Sequence, residues 1–469
     1  MNQREKTDYK VVVIGGGPAG YVAAIRASQL GAEVALVEQD ILGGTCLNRG
    51  CIPTKAYLKN AEIIQEIKKA SDRGIKLVNE DFVIDMPVTL KMKNKVVKKL
   101  TDGVGGLLKS NKVDVFYGLG VLQDGNTVLV KGNEKDKILL KADKIIIAGG
   151  SKASRIPIPG IESPRVLFSE QMLSMDTLPS SLVIIGGGVI GVEMALIFLS
   201  FGVKVEIVEM EDRLLPFIDS SISDFSRRLL EKNGAGIHTG VSLKRIEERK
   251  NNLSLILSTG EILETEKAML SIGRVPDLSC LGEVSVKTDK GRILVNDYQE
   301  TNIPGIYAAG DITGQKMLAH AAFKLGEIAA ENALGAKKTV NLKYVPSVIY
   351  SLPEMASVGM SEKEASREYT VSIGYFPLSA NGKALAVGDA EGFVKIVTDK
   401  KYGEVLGVHM AGPGVSEIIN EAASLMAMEV TSHEIADIIH GHPSVGEAFS
   451  EAAADSLGRC IHLPPGSML

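Results

Sequence analysis

A glycine-rich turn between an apolar run and a helical stretch occurs twice in this chain, and it restricts the possible folds more than any other feature. The first copy runs from residues 10–14 through glycines 15, 16, 17 and 20 to Glu38. The second runs from residues 182–185 through glycines 186, 187, 188 and 191 to Glu209. Both place the glutamate 18 positions after the last glycine, from 20 to 38 and from 191 to 209. Strand, turn, helix and strand in this order predict two βαβ units, each able to bind a dinucleotide.

Each position of the pattern has a separate physical reason. The first glycine permits the tight turn, the third lets the backbone approach a pyrophosphate, and the last allows the helix to pack closely on the sheet. The terminal carboxylate accepts hydrogen bonds from ribose hydroxyls, and Glu209 would repel the 2′-phosphate of NADP, which favours NAD. Arg213 is a weaker indication of NADP, because it follows the strand in a predicted loop. The residues predicted to contact the two dinucleotides are Gly15, Gly17, Pro18, Ala19, Gly20 and Glu38 in the first copy, and Gly186, Gly188, Val189, Ile190, Gly191 and Glu209 in the second.

Length and composition indicate a soluble protein with several domains. The chain has 469 residues, so roughly two to four domains are expected. A net charge of −5 opposes nucleic-acid binding, and the lysines of residues 91–99 fit the solvated face of a helix. No segment reaches the roughly 18 apolar residues of a membrane span, and residues 1–10 carry mixed charges. We therefore expect a cytoplasmic protein without membrane or nucleic-acid partners.

Further apolar runs predict the remaining elements. Residues 144–150 and 267–273 are predicted return strands, each ending in glycine, that complete the two nucleotide units. Residues 301–312 indicate a strand and a turn, followed by a helix from about Leu318. From Val345 onward the pattern changes to alternating strands with two helical stretches, which indicates a third unit.

Residues 43–55 contain two cysteines, Cys46 and Cys51, separated by four residues. This spacing allows a small disulfide loop, and a redox disulfide, a metal site and two inert thiols are the possible interpretations. A metal is disfavoured because no second cysteine pair or histidine cluster occurs nearby to complete four zinc ligands. With Cys280 and Cys460 the chain has four cysteines, which are too few for a secreted disulfide framework. The pair therefore favours redox catalysis in a reducing compartment.

Thiol exchange requires a nearby base, and the C-terminal segment 440–447 offers one. Exchange passes through a mixed disulfide, and each thiolate must be protected from reprotonation. Pro443 restricts the backbone after His442, and Glu447 could hold the imidazole in one tautomer. A structural histidine without a catalytic role is the alternative on these residues alone.

Taken together, these segments closely resemble the dihydrolipoamide dehydrogenases, a branch of the class I pyridine nucleotide-disulfide oxidoreductase family. The resemblance rests on residues 43–55, His442, Pro443, Glu447, the two glycine turns and the segments 309–311 and 317–320. It covers essentially the whole chain in the family's order. It implies an α/β fold with two Rossmann-like dinucleotide-binding domains, for FAD and NAD, and a C-terminal α+β dimerisation domain. The implied boundaries are 1–150 for the first part of the FAD domain, 151–274 for the NAD domain, 275–344 for the return to the FAD or central domain, and 345–469 for the dimerisation domain.

The resemblance also implies roles for individual residues. Cys51 would face the flavin and Cys46 would exchange with the substrate. His442, supported by Glu447, would act as acid and base from the partner subunit. In the family, the first turn and Glu38 bind the ADP half of FAD. Further FAD contacts fall on Gly44, Thr45, Lys55, Gly120, Gly150, Ser151, Asp311, Met317, Leu318, Ala319 and His320, and the second turn with Glu193, Glu209 and Gly273 would bind NAD.

The activity that the resemblance implies is oxidation of protein-bound dihydrolipoamide, with electrons passing through the cysteine pair and FAD to NAD. We expect a homodimer. The chain begins at the flavin domain without a fused lipoyl domain, so we also expect a separate lipoyl-bearing protein as its partner. That partner would be an acyltransferase or the glycine cleavage H protein of a 2-oxoacid dehydrogenase or related complex.

Three alternatives share parts of this pattern. A glutathione reductase would carry basic residues after the second turn to select NADPH, whereas Glu209 is followed by Met210. A mercuric reductase would carry an adjacent cysteine pair near its C-terminus, where Cys460 stands alone. A silent FAD-binding subunit would need neither the cysteine pair nor the base. One departure from the family is Gly149, at a position where threonine is usual.

Overall fold

Residues 7–76, 78, 82–132 and 137–464 are described by a computed structural model, so the ends of the first and last predicted domains, 1–6 and 465–469, lie outside the described residues. The first elements are β1 (Asp8–Ile14), α1 (Pro18–Gln29), β2 (Val34–Glu38), α2 (Gly44–Arg49), α3 (Cys51–Lys69), α4 (Met86–Ser110), β3 (Asp114–Tyr117), β4 (Leu119–Leu122), β5 (Thr127–Lys131) and β6 (Lys137–Ile147). Their strands form one sheet in the order β3-β2-β1-β6-β5-β4.

The centre of this first sheet is parallel and apolar. β1 pairs with both β2 and β6, and Ile14 lies opposite Val37 and Ile147. Continuous Val, Ile and Leu runs of this kind are typical of strands covered on both faces. Because parallel strands end at the same edge, the first glycine turn and Glu38 lie side by side.

The second unit repeats this arrangement. Its elements are β7 (Ser151–Ala153), β8 (Val166–Phe168), α5 (Ser169–Met172), β9 (Ser181–Ile185), α6 (Val189–Ser200), β10 (Lys204–Val208), α7 (Ser220–Lys232), β11 (Gly236–His238), β12 (Leu243–Glu248), β13 (Leu253–Leu257), β14 (Ile262–Thr265), β15 (Lys267–Leu270) and β16 (Arg274–Pro276). Five parallel strands follow the order β11-β10-β9-β15-β8, and β12 to β14 form a separate antiparallel sheet. Ile185 lies opposite Val208, which brings the second turn beside Glu209.

Helix α6 connects the two units through its packing. It is apolar on nearly every side, and Met194 and Phe198 lie in one core with Tyr57 and Leu58 of α3. A helix without a polar face requires burial all round, and α3 supplies the cover on this side. Because α3 begins at Cys51, this contact brings the helix of the thiol pair against the helix of the second turn.

The chain then returns to the first sheet through β17 (Thr288–Asp289), β18 (Arg292–Ile293), β19 (Ile306–Ala308) and α8 (Ala319–Ala333). β7 and β16 pair as an antiparallel link between the two units. β19 pairs in parallel with β6, and α8 packs on α1 so closely that a Cβ added to Gly326 would lie 2.2 Å from the carbonyl oxygen of Ala19. Residues after 276 thus supply both a strand and a helix to the first unit.

The C-terminal elements are β20 (Ser347–Ile349), β21 (Glu354–Gly359), α9 (Glu362–Ala365), β22 (Val371–Pro377), α10 (Gly382–Val387), β23 (Phe393–Asp399), β24 (Val405–Gly412), α11 (Val415–Ala427), α12 (Ser432–Asp437) and α13 (Glu447–Ser456). The strands form an antiparallel sheet in the order β20-β21-β24-β23-β22. Two helical stretches were predicted in this segment, whereas its described residues form five helices. α9, α10 and α12 are each preceded by a capping residue, Ser361, Asn381 and Thr431, and they are too short to show a helical period.

Several element boundaries differ from the prediction. β10 ends at Val208, so Glu209 lies just beyond the strand. The return strands stop three residues short of the predicted glycines, because Gly150 and Gly273 have left-handed φ values. Lys93 is buried rather than solvated, and its ammonium donates to the carbonyl oxygen of Leu173 at 3.0 Å. Among the described residues, no helix is long and apolar enough to cross a bilayer.

Candidate active site

The two glycine turns leave their strands with left-handed backbones. Gly15 has a φ of +102° and Gly186 a φ of +108°. An added Cβ would lie 2.2 Å from the carbonyl oxygen of Ala148 in the first turn and 2.5 Å from that of Ser271 in the second. Because neither the conformation nor the space admits a side chain, both positions require glycine.

The helices start directly on these turns. A Cβ added to Gly20 would lie 1.8 Å from the carbonyl oxygen of Gly15, and one on Gly191 would lie 2.1 Å from that of Gly186. Gly188 differs, since an added Cβ would meet no atom within 4 Å. Both α1 and α6 begin without a side-chain cap. Open N–H groups at a helix start suit a pyrophosphate, so the residues present fit a bound dinucleotide at each turn.

The two glutamates have the same geometry at the two turns. One carboxylate oxygen of Glu38 accepts a hydrogen bond from the Gly16 N–H at 2.6 Å, and one of Glu209 accepts from the Gly187 N–H at 2.6 Å. The other oxygen accepts from the N–H two residues later, at 2.8 Å in each case. Burial raises the pKa of Glu38, although the Gly16 hydrogen bond opposes this effect. Each carboxylate is thus fixed beside its turn, where the predicted ribose contact would lie.

Arg213, which favoured NADP in the sequence, is bound within its own loop. Its guanidinium donates to the carbonyl oxygens of Pro216 at 3.0 Å and Ile218 at 3.2 Å. Its charge is therefore used by the loop backbone, whereas the carboxylate of Glu209 lies at the turn. This arrangement favours NAD over NADP.

The thiol pair lies at the junction of α2 and α3. Cys46 lies in α2 and Cys51 begins α3, and both are free thiols that share a hydrogen bond. This bond lowers the pKa of Cys51 to about 7 against the opposing effect of burial, and Lys55 lowers it further. The same bond, together with burial, raises the pKa of Cys46. The reduced pair therefore carries its first negative charge on Cys51.

Lys55 joins α3, the helix that begins at Cys51, to the second unit. Its ammonium lies 3.1 Å from both carboxylate oxygens of Glu193 in α6 and 4.0 Å above the ring of Tyr350. The Tyr350 N–H also donates to Glu193 at 3.0 Å. Burial raises the pKa of Glu193, and Lys55 opposes this shift. Two predicted contact residues, one for each dinucleotide, thus form a single ion pair.

Arg274 is a site residue that the sequence analysis missed. Its guanidinium donates to the Ser151 side chain at 2.8 Å, to the Ser151 carbonyl oxygen at 2.6 Å and to the Thr45 hydroxyl at 3.4 Å. Ser151 in turn donates to a carboxylate oxygen of Asp311 at 2.6 Å. Arg274 therefore connects three predicted FAD-contact residues beside Cys46. Its position directly after Gly273 was the available signal.

Gly44 and Gly120 are explained by crowding. Gly44 has a φ of +58°, and an added Cβ would lie 2.7 Å from the Cα of Gly17. This close approach brings the start of α2 against the first turn. A Cβ on Gly120 would lie 3.0 Å from the side chain of Ile14, so glycine lets β4 approach the central strands.

Gly150 and Gly273 are open positions instead. Their φ values are +73° and +99°, and an added Cβ would meet nothing within 4 Å. The predicted segment 317–320 begins α8, with Leu318 as an N-cap that has no side-chain cap hydrogen bond. The His320 ring lies 2.9 Å from the carbonyl oxygen of Pro346, so it is used in a contact within the protein.

The candidate base lies in the C-terminal unit. Nδ1 of His442 lies 2.9 Å from Glu447, whose other oxygen accepts from the Ser444 N–H at 2.8 Å. The His442 side chain is 78% exposed, and a cis peptide bond joins it to Pro443. The hydrogen bonds of this dyad lie within the C-terminal unit, and among the described residues none of them joins His442 or Glu447 to the thiol pair.

The two other cysteines are explained by packing. Cys280 is buried, and burial raises its pKa to about 12. The Cys460 thiol donates to Glu451 at 2.9 Å, and burial and this carboxylate raise its pKa to about 12. Neither thiol is poised for exchange, because reactivity requires the thiolate.

Comparisons with known proteins agree with this geometry. The family model described as pyridine nucleotide-disulphide oxidoreductase matches residues 9–326, and the dimerisation domain of the same family matches residues 345–453. A dihydrolipoyl dehydrogenase of Bacillus subtilis (strain 168) is 40% identical over 458 residues, which cover 96% of this chain and 99% of the relative.

Two solved structures share the fold over nearly their full length. LpdA from Mycobacterium tuberculosis has a TM-score of 0.88 at 26% identity and covers 95% of this chain and 99% of its own. The Cu(II) complex of the HOCl-induced flavoprotein disulfide reductase RclA from Escherichia coli has a TM-score of 0.87 at 28% identity, with coverage of 96% and 99%.

These findings confirm the predicted α/β fold class, the resemblance and the oxidoreductase class. The predicted cofactors, FAD and NAD, are those that this family uses. Both family models and 40% identity over almost the whole length place the thiol pair and the two glycine turns in one known context: the chain belongs to the pyridine nucleotide-disulphide oxidoreductase family.

Proposed function

We propose that the chain is a dihydrolipoyl dehydrogenase, which oxidises protein-bound dihydrolipoamide and reduces NAD. The observation that carries the proposal is the pair of free thiols, Cys46 and Cys51, whose helix is connected through Lys55 to Glu193 beside the second turn. The proposed domain division is 1–150 and 275–344 for FAD, 151–274 for NAD and 345–469 for dimerisation.

The cofactor assignments rest on the geometry of each turn. The first turn, Glu38 and the network of Arg274, Ser151 and Asp311 would hold FAD, because the turn packs against Gly44 and the network reaches Thr45, both in the helix that carries Cys46. The second turn with Glu209 would hold NAD. When bound, FAD carries two electrons between the thiol pair and NAD. The protein's part is to position the pair between the two sites.

The exchange reaction follows from the asymmetry of the thiols. In the oxidised enzyme, a substrate thiolate attacks the Cys46 sulfur, the bond between the cysteines breaks, and Cys51 leaves as a thiolate. The second substrate thiolate attacks the substrate sulfur of the mixed disulfide, which closes the lipoyl ring and releases Cys46. A leaving thiol with a low pKa leaves faster, and Cys51 has a pKa of about 7. The substrate disulfide formed and the cysteine disulfide reduced balance at two electrons.

His442 would accept the substrate proton. The Glu447 carboxylate can only accept, so Nδ1 carries the hydrogen and Nε2 is left as the basic nitrogen. The imidazole is exposed in the single chain, which suits a residue that reaches the thiol pair of a partner subunit. The match to the dimerisation domain supports a homodimer in which each subunit completes the site of the other.

The remaining assignments follow from this activity. The partner would be a lipoyl-bearing protein, either the acyltransferase of a 2-oxoacid dehydrogenase complex or the glycine cleavage H protein. The location would be the cytoplasm. A glutathione-reductase-like activity is the alternative, and the carboxylate of Glu209 together with the engaged Arg213 disfavours its NADPH.

Anaerobic reduction of the FAD-loaded protein by dihydrolipoamide, followed by mixing with NAD, tests the proposal. We expect reduction of the flavin and formation of NADH, and slower reaction with NADP. Cys51→Ser should reduce lipoamide turnover by more than about 100-fold, while Cys460→Ser, a matched control away from the pair, should retain it. Full lipoamide turnover by Cys51→Ser would overturn the proposal, and faster turnover of glutathione with NADPH would favour the alternative.

A separate experiment tests the role of His442 as the base. His442→Gln should slow reduction by the dithiol about 100-fold or more, because no group then accepts the proton. Reduction of the flavin by NADH should change little. Equal losses in the two half-reactions would contradict the role of His442.

A further inference from the structure

Two histidines in one loop have opposite surroundings. The loop from residue 438 to residue 446 joins α12 to α13 and contains His440 and His442. The side chain of His440 is 9% exposed, whereas that of His442 is 78% exposed. The loop therefore presents one imidazole to the outside and uses the other as an internal contact.

Both ring nitrogens of His440 have a hydrogen-bond partner. Nδ1 lies 3.1 Å from the carbonyl oxygen of Ile438, and Nε2 lies 3.0 Å from a carboxylate oxygen of Glu421 in α11. A carbonyl oxygen can only accept, so Nδ1 carries a hydrogen. An ionised carboxylate also accepts only. When protonated, His440 therefore donates from both nitrogens and forms an ion pair with Glu421.

The contact between His440 and Glu421 anchors the loop to α11. A second anchor is Asn381, the N-cap of α10, whose amide donates to the carbonyl oxygen of Ser444 at 3.0 Å. Ser444 is bound from its other side by Glu447, the partner of His442. The two anchors lie on either side of the exposed imidazole, so they fix the backbone from which it projects.

The charge of His440 also reaches the catalytic dyad. Its positive charge is among the factors that lower the pKa of Glu447, after burial, which acts in the opposite direction, and after the contributions of Ser444 and His442. Three titratable groups therefore lie around His440: Glu421 from α11, Glu447 from α13 and His442 from its own loop. A cation at this place favours an ionised Glu447, which is the form that orients His442.

We propose that His440, held between the Ile438 carbonyl and Glu421, is a positioning residue that aims His442 and keeps Glu447 ionised. The inference rests on the proposed function, since it assigns His442 as the base. It adds a second histidine and an acidic residue on a different helix to the site. Outer partners of this kind typically change activity about 10- to 100-fold when they are removed.

Two substitutions distinguish the effect of the hydrogen bonds of His440 from the effect of its charge. His440→Leu removes both hydrogen bonds and the charge. Glu421→Gln keeps a hydrogen bond to His440 but makes it neutral, because the glutamine amide can donate to an unprotonated Nε2. The Nδ1 of His440 still donates to the Ile438 carbonyl oxygen. His433→Asn, an exposed histidine at the start of α12, is the matched control. Each variant is first compared with the wild type for FAD content and dimerisation.

The readout is the rate of each half-reaction as a function of pH. We expect His440→Leu to slow reduction by dihydrolipoamide about 10- to 100-fold and to leave reduction by NADH within about twofold. Glu421→Gln should keep most of the rate at the optimum, but the acid limb of its pH profile should move to higher pH, because the cation beside Glu447 is lost. A purely structural role would reduce both half-reactions together and leave the profile in place.

The outcomes distinguish the two proposals. If His442→Gln slows the dithiol step but His440→Leu behaves like His433→Asn, the positioning role is wrong and the proposed function stands. If His442→Gln leaves the dithiol step unchanged, the proposed function itself fails. Where His440→Leu does not assemble with FAD, His440→Asn, which keeps the bond to Ile438, is judged by the same half-reactions.

Discussion

The ammonium of Lys55 lies 3.1 Å from both carboxylate oxygens of Glu193 and thereby joins the helix that begins at Cys51 to the helix that begins at the second glycine turn. The pair is largely buried, and Glu193 is also bound by the Tyr350 N–H. Both charges act on the same thiol, because Lys55 lowers the pKa of Cys51 and Glu193 raises it. Their opposing effects both influence how readily the Cys51 thiolate forms.

Opposite effects on Cys51 are expected when either charge is removed. Lys55→Met should raise the pH at which the Cys51 thiolate forms by about one unit, and Glu193→Gln should lower it. The alkylation rate of the reduced protein with iodoacetamide, measured against pH, reports both shifts. Shifts in the same direction would mean that the substitutions act through the fold rather than through charge. Lys59→Met, an exposed lysine on the same helix, is the control.

The hydrogen bond between the thiols leads to a second prediction. It is the largest influence that lowers the pKa of Cys51 to about 7, from an ordinary value of 9.0. Cys46→Ala removes the donor and should move the thiolate midpoint upward toward 9.0, so between these two pH values the variant loses the negative charge that the wild type carries. Cys46→Ser retains a donor and should lie between them. An unchanged midpoint in Cys46→Ala would show that Lys55 alone holds the thiolate.

The features that the sequence predicted are those encoded by local pattern. Both glycine turns and the strands before them follow from a few consecutive residues, and the parallel register then forces each glutamate to lie beside its turn. The cysteine spacing predicted the pair itself. It did not predict which thiol ionises first, because that asymmetry depends on Lys55 and on the direction of one hydrogen bond.

The remaining features depend on contacts between distant segments. Lys55 and Glu193 are 138 positions apart, and neither has a sequence pattern that indicates the other. Lys93 fits a solvated helical stripe, but the carbonyl oxygen of Leu173 accepts its buried ammonium. His442 is 78% exposed and its hydrogen bond to Glu447 lies within the C-terminal unit, so no local pattern relates it to the thiols. Such features are set by packing, which periodicity does not describe.

A buried charge cluster joins the second unit to the C-terminal sheet. Asp219 caps α7 and accepts from the ammonium of Lys395 in β23 at 2.9 Å and from the Glu362 N–H at 2.9 Å. Both side chains of the Asp219–Lys395 pair are almost fully buried, and His409 lies 3.8 Å from the same carboxylate. Burial opposes the ionisation of Asp219, but His409, Ser221 and Lys395 together lower its pKa.

Removal of one partner should therefore be costly. Lys395→Met leaves a buried carboxylate without its counter-ion, and we expect the stability to fall by about 3–5 kcal/mol. The midpoint of the first denaturation transition measures the loss, with the exposed Lys400→Met as control. Since the folded Asp219 has a lowered pKa, its contribution is present above pH 3.8 and is lost as the pH falls further. A wild-type midpoint for Lys395→Met would show that the Asp219–Lys395 pair does not contribute to stability.

Gly149 is the departure from the family pattern, and Cys280 gives its physical reason. A Cβ added to Gly149 would lie 3.2 Å from the sulfur of Cys280, 3.0 Å from the side chain of Ile312 and 3.2 Å from the carbonyl oxygen of Asp277. The space that a threonine side chain would occupy is thus partly filled by the buried thiol.

Restoring the family's residue should for this reason destabilise the protein. Gly149→Thr is expected to cost about 1–3 kcal/mol through overpacking, and Gly149→Ala should cost less, because its single methyl requires shifts of only a few tenths of an ångström. Cys280→Ala should recover a large part of the loss in the Gly149→Thr background, although alone it opens a cavity and destabilises. A double-mutant cycle on the thermal midpoint measures this coupling. Additive effects would mean that Ile312 and Asp277, rather than the thiol, exclude the threonine.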